Sequence, residues 1–528
     1  MMKINRPKSV EAAAAALISE ARREKQTCED ERARISARLA EMEAGCFPAV
    51  VKELGQRWLT NAIPDSIERK GIDDPIYGHI ALDKALATLA SHPVLQRLAR
   101  VKQLSFSFLQ FPSARHSRLS HSLGVAKNAE RALNGILDRG VYYVIGEKEP
   151  IKFKPEVAQQ RHDLILKAQV AALLHDIGHG PFGHALDTYA GITLDVQHPD
   201  KHYTETYVQK FLAPTLRSIG VDDAHILSLL GTDRSSLKGF DHLIGDIIDS
   251  SLDVDRMDYL MRDAHMTGLM MGFINTAALI DFMRPVLDQE SFILTYDEEA
   301  LGHMEHLMLA RDAMYFNCYE SPRKRTAERM LTRLVKGIVD DRRLSLSLED
   351  VFALADEELT SIVRGIGTGN GMVQHLVEEL MGDADYVCVY EVPASIKERT
   401  TLPPVIDNWL NDVLIGDRKL AYITRPGDWE EKVAQNSIGQ KRVWQIQVVL
   451  PDPKVYQLQQ NSATKLLRKD ASGCYKAENF FDVSRTLKEI LERTNMQRQT
   501  VKVMCPARLP GTERNQIQRA AANLFGTT

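Results

Sequence analysis

The chain has 528 residues, 44% of them apolar, 26% charged and only 7% aromatic, with a formal net charge of -5. That length exceeds what one core serves, so a large domain with smaller lobes is expected, and the low aromatic content favours helices over a sandwich. The slight acidity argues against a protein built mainly to coat nucleic acid, though it leaves room for a local phosphate pocket, and no run of about 18 apolar residues is present to cross a membrane.

The N-terminal stretch MMKINRPKSVEAAAAALISEA is followed by Arg22, Arg23, Glu24 and Lys25. With no cleavage site it reads as a helix, not a signal peptide. Residues 8–44 are rich in Ala, Glu and Arg and predict a solvated amphipathic helix, so 1–70 is taken as a helical extension,. DPIYGHIALD at 74–83 predicts a turn and a small strand pair. Apolar residues then recur at helical spacing in 92–104, 118–137, 163–176 and 325–339, and GVYYVIGEKEPIKF at 140–153 predicts a hairpin,. Gly124 lies inside one of these helices, where a glycine permits close packing,.

After about 380 the character changes. DYVCVYEV and VWQIQVVLP predict strands, GDRKLAYITRPGDWEEK predicts turns between them, and FDVSRTLKEILERTN at 481–495 predicts a helix from an Asp cap,. The expected fold is mainly α, with a helical core over 71–380 and a smaller α/β lobe over 381–528 of regulatory or oligomerising role. Cysteines 28, 46, 318, 388, 474 and 505 make no C-x-x-C pair. A zinc knuckle and a disulfide framework are therefore not expected, and the setting is read as cytoplasmic and reducing.

The strongest local signal is LLHDIGHGPFGHALD at 173–187, with His175, Asp176, His179, His184 and Asp187 in one short stretch. A core does not collect such groups without partners. A helix is expected to end at Gly178, Gly180-Pro181 to turn the chain, and His184 and Asp187 to share a face of the next helix,. The adjacent pair His162-Asp163 is a decoy, read as exposed helix-start residues. Two further segments complete a candidate site. Arg118 and His121 stand three apart in SARHSRLSHSLGVA, placing a guanidinium suited to phosphate beside a ligating imidazole,. SSLDVDRMDYLMRDAH packs Asp253, Asp255, Asp258 and Asp263 among Arg256, Tyr259 and Arg262.

The set His121, His175-Asp176 and Asp255 resembles the H…HD…D metal signature of the HD superfamily. DPIYGHIALD, LQRLARVKQL, FPSARHSRLSHSLGVA, HDIGHGPFGHALD, DVDRMDYLMRDAH and ARDAMYFNCYESPRKR follow in order and resemble its deoxynucleoside triphosphate triphosphohydrolase branch, which includes the SAM-and-HD-domain dNTPase and bacterial dGTPases. The resemblance covers roughly 70–340. It implies an HD phosphohydrolase core in which His121, His175, Asp176 and Asp255 bind one divalent ion. Fe, Mn, Zn, Ni or Co suits such ligands, and Mg could act through phosphate oxygens. It also implies water attack at the α-phosphate, releasing deoxynucleoside and triphosphate. His184 would be the general acid, oriented by Asp187; His202 would be a further active-site histidine and His179 a phosphate contact. Arg118, Arg256, Arg311 and Tyr259 would hold phosphates, Gln103 and Asp263 the 3′-hydroxyl, and Leu104 and Tyr319 the sugar edge, leaving no room for a 2′-hydroxyl.

The chain departs from the family pattern in places. Tyr203 follows His202 where Glu is usual, Arg256 replaces a common Lys, and Ser321 and Pro322 replace a common His-Lys pair. The family's guanine-reading Asp, Gln and Arg correspond to Ser91, Gln96 and Ala99, so an activator site of that design is not expected, while another nucleotide effector stays open. Relatives imply a homo-oligomer, and the activity suits nucleotide-pool control or phage defence. The competing readings are an HD phosphodiesterase acting on a cyclic or oligonucleotide signal, and a nucleotide-sensing HD protein without catalysis. Retention of Gln103, Asp263 and Tyr319 speaks against the first, and retention of His184, Asp187 and all four ligands against the second.

Overall fold

The computed structural model describes residues 47–60, 71–231, 234–340, 346–366, 379–380, 385–395, 402–414, 419–451 and 464–526. The helix expected over 8–44, with Cys28 and Cys46, lies outside them. The described chain is mainly helical, as expected. A hairpin of β1 (Gly71–Asp74) and β2 (Gly78–Ala81) is followed by α1 (Lys84–Ala90) and α2 (Pro93–Leu98). Two long helices, α3 (Arg118–Arg139) and α4 (Arg161–Leu174), pack extensively on each other. Their buried faces are rich in small residues, Ala126, Ala129 and Ala132 on one and Ala168, Ala171 and Ala172 on the other. Across α3 lie α5 (Gly239–Ile248) and α6 (Val254–Thr267), followed by α7 (Leu301–Met314) and α8 (Pro322–Asp340).

Two predicted elements are shorter than their apolar periodicity suggests. The helix expected over 92–104 stops at Leu98. Beyond it the backbone turns to pair with a distant segment, Arg118 N donating to Val101 O at 2.9 Å and Gln103 N to His116 O at 3.0 Å. The helix before the His-Asp pair ends at Leu174, ahead of Gly178, so His175 and Asp176 sit on a turn.

The expected hairpin at 140–153 is present as β3 (Val141–Val144) and β4 (Ile151–Lys152). It joins a six-stranded sheet with β5 (Met283–Asp288) and β6 (Ser291–Asp297). The chain beyond 381 contributes to two places. Strands β7 (Tyr386–Pro393), β8 (Gln447–Val449) and β11 (Thr500–Pro506) form a separate antiparallel sheet in the order β7-β11-β8. It packs with helices Pro404–Leu414, Arg425–Gln435 and Gly511–Phe525 around Trp409, Trp429, Val503 and Phe525. Strands β9 (Lys465–Lys469) and β10 (Tyr475–Asn479) instead extend the core sheet, β9 running parallel to β6.

The turns expected between the lobe's strands are helical, over Leu420–Thr424 and Arg425–Gln435. Pro426 lies in the first helical turn, where a missing N–H is harmless, and Trp429, Val433 and Ala434 supply a buried stripe,. VWQIQVVLP keeps strand geometry only over Gln447–Val449, after a 3-10 segment at Gln440–Gln445. The helix at 485–498 is present, with Ser484 rather than an Asp in the preceding position. The lobe docks on α8 through buried Glu430, which accepts from Arg329 Nε at 3.1 Å and Val448 N at 2.9 Å and pairs with Arg333 at 3.4 Å.

One buried group makes stability depend on pH. His92 caps α2, its Nδ1 accepting from Val94 N at 3.3 Å, while its Nε2 is buried without a partner. Burial lowers its pKa to about 4. The folded chain keeps His92 neutral, whereas the unfolded chain takes up a proton below about pH 6.5. Stability therefore falls as pH drops from about 6.5 to 4, by up to about 3 kcal/mol at roughly 1.4 kcal/mol per unit,. His92→Asn keeps a capping acceptor and should flatten that slope. Urea midpoints at pH 7 and pH 4.5 check this; an equal slope in both proteins would contradict it.

Candidate metal centre

The first ligand candidate comes from α3, which opens on Ser117, whose hydroxyl accepts from Ser120 N. This start puts Arg118 and His121 on the helix's first turns, both buried. His121 Nδ1–H donates to Asp258 Oδ2 at 2.7 Å, and Asp258 is held by Arg262, Nε to Oδ2 at 2.9 Å, which in turn reaches Asp74 of β1 at 2.7 Å. Gly124 makes this chain of charges possible, since a Cβ there would lie 1.9 Å from Asp258 Oδ1. Tying Nδ1 in this way fixes the tautomer and turns Nε2 toward the other ligands.

His175 is oriented by its own helix end, Nδ1–H donating to Ala172 O at 2.7 Å. Its Nε2 is buried and has no hydrogen-bond partner. Asp176 follows on the same turn, and Asp255 is brought in by α6, capped by Asp253. The donor atoms of His121, His175 and Asp176 lie within 4.8 Å of one another. Asp255 Oδ1 is 3.0 Å from His121 Nε2 and 3.6 Å from His175 Nε2. Two imidazoles and two carboxylates converging on an unpartnered Nε2 fit a divalent transition ion.

The electrostatics point the same way. Burial would discharge His121, but its hydrogen bonds to Asp255 and Asp258 outweigh that and push its pKa up to about 10. Burial opposes the charge on Asp176 as well, and Arg118, His175 and His179 overcome it, holding the carboxyl well below the usual carboxylate range. Asp255 is likewise lowered against burial by His121 and His175. The site thus attracts positive charge into a buried place.

A second group stands beside the first. His179 Nε2 lies 3.2 Å from Asp176 Oδ1, and its ring meets His184 edge-on at 4.4 Å. His184 Nδ1–H donates to Asp187 Oδ2 at 2.6 Å, from a 3-10 turn (Gly183–Leu186) that runs into a helix beginning at Asp187. The side chain of His184 is 55% exposed, so its ring is reachable from outside; it borders a pocket lined by Thr188, Arg325, Thr332 and Tyr422 that contains none of the four ligand candidates. His202 is exposed on the helix Pro199–Tyr207, and its described ring contact is Tyr203.

The expected substrate residues fall into local groups, of which Arg118 touches a ligand candidate directly. Arg118 Nη1 donates to Asp176 Oδ2 at 2.6 Å, leaving its Nε and Nη2 buried without partners. Arg256 is tied to Asp253 and to Ser250 O. Tyr259 lies between Arg311 and Arg256; burial raises its hydroxyl pKa and both cations oppose the rise. Arg311 sits 4.7 Å over the Tyr315 ring, and its Nε has no partner. Asp263 accepts from Tyr319 OH at 2.7 Å and from His116 Nε2 at 2.8 Å, and Gln103 Oε1 is buried without a partner beside the backbone of His116. Leu104 is buried next to Gln103. Tyr315–Tyr319 is a π-helical turn at the end of α7, a distortion often found at functional sites,.

Sequence reasoning assigned no role to His116, Asp258, Arg262 or Tyr315. Asp258 stands three residues after Asp255 and four before Arg262, so helical spacing alone could have marked the support of a ligand,. His116 lies two before Arg118, and nothing local signals that it reaches Asp263. The decoy pair His162-Asp163 is exposed at the start of α4.

The family model of the HD domain matches residues 118–262. The chain carries an HD domain. The match begins at Arg118 and ends at Arg262, so it contains all four ligand candidates of the centre. A Bacillus subtilis protein, uncharacterized protein YwfO, is 30% identical over 275 residues, covering 51% of this chain and 55% of that protein. Uncharacterized protein MG461 of Mycoplasma genitalium is 29% identical over 285 residues, 53% and 61% of the two chains. Human deoxynucleoside triphosphate triphosphohydrolase SAMHD1 is 28% identical over 292 residues, 50% and 44%. The chain spans about half the length of the curated relatives it matches. No helix among the described residues is long and apolar enough to cross a membrane.

Proposed function

We propose that this HD-domain chain is a metal-dependent hydrolase that cleaves deoxynucleoside triphosphates at the α-phosphate into deoxynucleoside and triphosphate. The observation that carries the reading is Arg118, bonded to the ligand candidate Asp176 with its Nε and Nη2 buried without partners, beside the unpartnered Nε2 of His175. Buried polar groups are ordinarily paired, so Arg118 is poised for anionic oxygens next to a metal site. The similarity to a named deoxynucleoside triphosphate triphosphohydrolase supports the same substrate class.

A divalent ion held by His121, His175, Asp176 and Asp255 would supply Lewis-acid activation of water and of the α-phosphate. Arg118, Arg256 and Arg311, with Tyr259 and His179, hold the phosphate chain. Gln103 and Asp263 hold the 3′-hydroxyl, Asp263 being fixed from behind by His116 and Tyr319. The oxygen of water bonds to the α-phosphorus and releases a proton to solvent, the bond to O5′ breaks, and His184, entering as imidazolium steadied by Asp187, gives its proton to O5′ and ends neutral.

Leu104 and Tyr319 close the sugar edge, so dNTPs should be cleaved at least about tenfold faster than NTPs, a difference of about 1.4 kcal/mol in transition-state binding. Initial rates with each dNTP and its NTP, in Mn(II) or Mg(II), check this. Equal rates for dATP and ATP would remove the substrate assignment.

A further inference from the structure

The turn that carries His175 and Asp176 is gripped from behind by groups outside the matched domain. Arg97, in the last turn of α2, is fully buried. Its Nη2 donates to Ile177 O and His179 O, both at 2.8 Å. Its Nη1 donates to Phe352 O at 3.0 Å and Leu354 O at 3.3 Å. The planar guanidinium fork thus links the backbone following the metal dyad to the segment 346–366. Its hydrogen-bond partners are four carbonyls, and the Tyr207 ring lies 5.3 Å from it.

The same segment grips the turn a second time. Asp356, fully buried, accepts at Oδ1 from Phe182 N at 2.6 Å and at Oδ2 from Lys102 N at 3.0 Å and Lys102 Nζ at 3.1 Å. Phe182 has φ +58°, a left-handed conformation that a bulky side chain rarely adopts without external support,. Between the two grips, Gly180 lets the Phe352 ring lie against the backbone; a Cβ there would be 2.9 Å from that ring. The groups fixed in this way are His175, Asp176, His179 and His184. Arg256, Asp263, Arg311 and Tyr319 stand on other elements, and Lys102, which Asp356 also holds, precedes Gln103.

We propose that Arg97 and Asp356 are positioning residues: by docking the segment 346–366 onto the turn 175–184 they set the ligand geometry of His175 and Asp176 and the aim of His184. The inference rests on the metal-centre reading and gives a part in it to a segment beyond the HD-domain match. Loss of either grip should loosen the metal and slow turnover.

The test uses the full chain and the variants Arg97→Met, Arg97→Lys and Asp356→Ala. Each is titrated with Co(II), read by its visible d–d absorption, and assayed for kcat and KM with dNTP, with Tm measured alongside. In Arg97→Met and Asp356→Ala, Co(II) affinity or kcat should fall about 10- to 100-fold, the range for groups that support metal ligands. The d–d band should change shape. Arg97→Lys keeps the charge, loses the fork, and should fall between wild type and Arg97→Met. Folded variants with lowered Tm but wild-type Co(II) affinity, band shape and kcat would overturn the proposal, leaving a purely structural role. If Arg97→Met does not fold, Asp356→Ala and Arg97→Lys decide by the same criteria. Wild type that binds Co(II) but leaves dNTPs intact would refute the substrate reading while the Co(II) comparison still decides this one. Wild type that binds no Co(II) would overturn both.

Discussion

His175→Ala or Asp176→Ala abolishes stable metal binding and lowers turnover by on the order of 10³-fold or more, because Lewis-acid stabilisation is worth several kcal/mol in the transition state. Each removes one of four donors from a buried cluster whose remaining members cannot close the gap, since His121 is pinned by Asp258 and, in Asp176→Ala, His175 by Ala172 O. Asp176→Ala has a second effect: it strips Arg118 of its carboxylate partner at 2.6 Å. A buried guanidinium left unpaired costs several kcal/mol. Asp176→Ala should therefore also lower Tm more than His175→Ala does. Metal content by elemental analysis after desalting, together with kcat, checks the prediction. Full metal occupancy in both variants would remove these residues from the ligand set.

His184→Ala should keep metal and dNTP binding while losing about 10² to 10⁴ in turnover, the contribution of a positioned general acid. A nucleoside alkoxide leaves poorly unless protonated, and His184 is the exposed imidazole of the second group, bonded to Asp187 at 2.6 Å. If the ring served only to support the 3-10 turn, the variant would lose stability with a modest loss of rate in whatever stays folded. Equilibrium dNTP binding to the Co(II)-loaded variant, set beside kcat and Tm, separates the two roles. Undiminished kcat in a folded variant would reassign the acid.

Much of this was legible in the sequence, for identifiable reasons. The long helices α3 and α8 follow 3.6-residue periodicity, α4 ends in a continuous buried run, and Ser117 marks one start. His175, Asp176, His179, His184 and Asp187 are near neighbours in the chain, so their convergence needs only one turn. Gly124 could be flagged inside its helix, although its reason, the Asp258–Arg262 pair pressed against it, comes from another helix. The failures lie where distant segments override local pattern. Pairing of Gln103 with His116 ends a helix that periodicity would continue. Arg97 and Asp356 look like ordinary helix-surface charges until the turn from 175 to 184 and the segment after 346 close over them. Likewise β9 and β10 join the core sheet through pairing with β6, which no local signal encodes.

Hydrolysis in ¹⁸O-labelled water tests the central claim most directly. Each dNTP is incubated with the Mn(II)-loaded protein, and the first-formed products are resolved and weighed by mass spectrometry. Attack at the α-phosphorus predicts one labelled oxygen in intact triphosphate and none in the deoxynucleoside. Label in the nucleoside, or pyrophosphate or orthophosphate as the first product, would contradict the account.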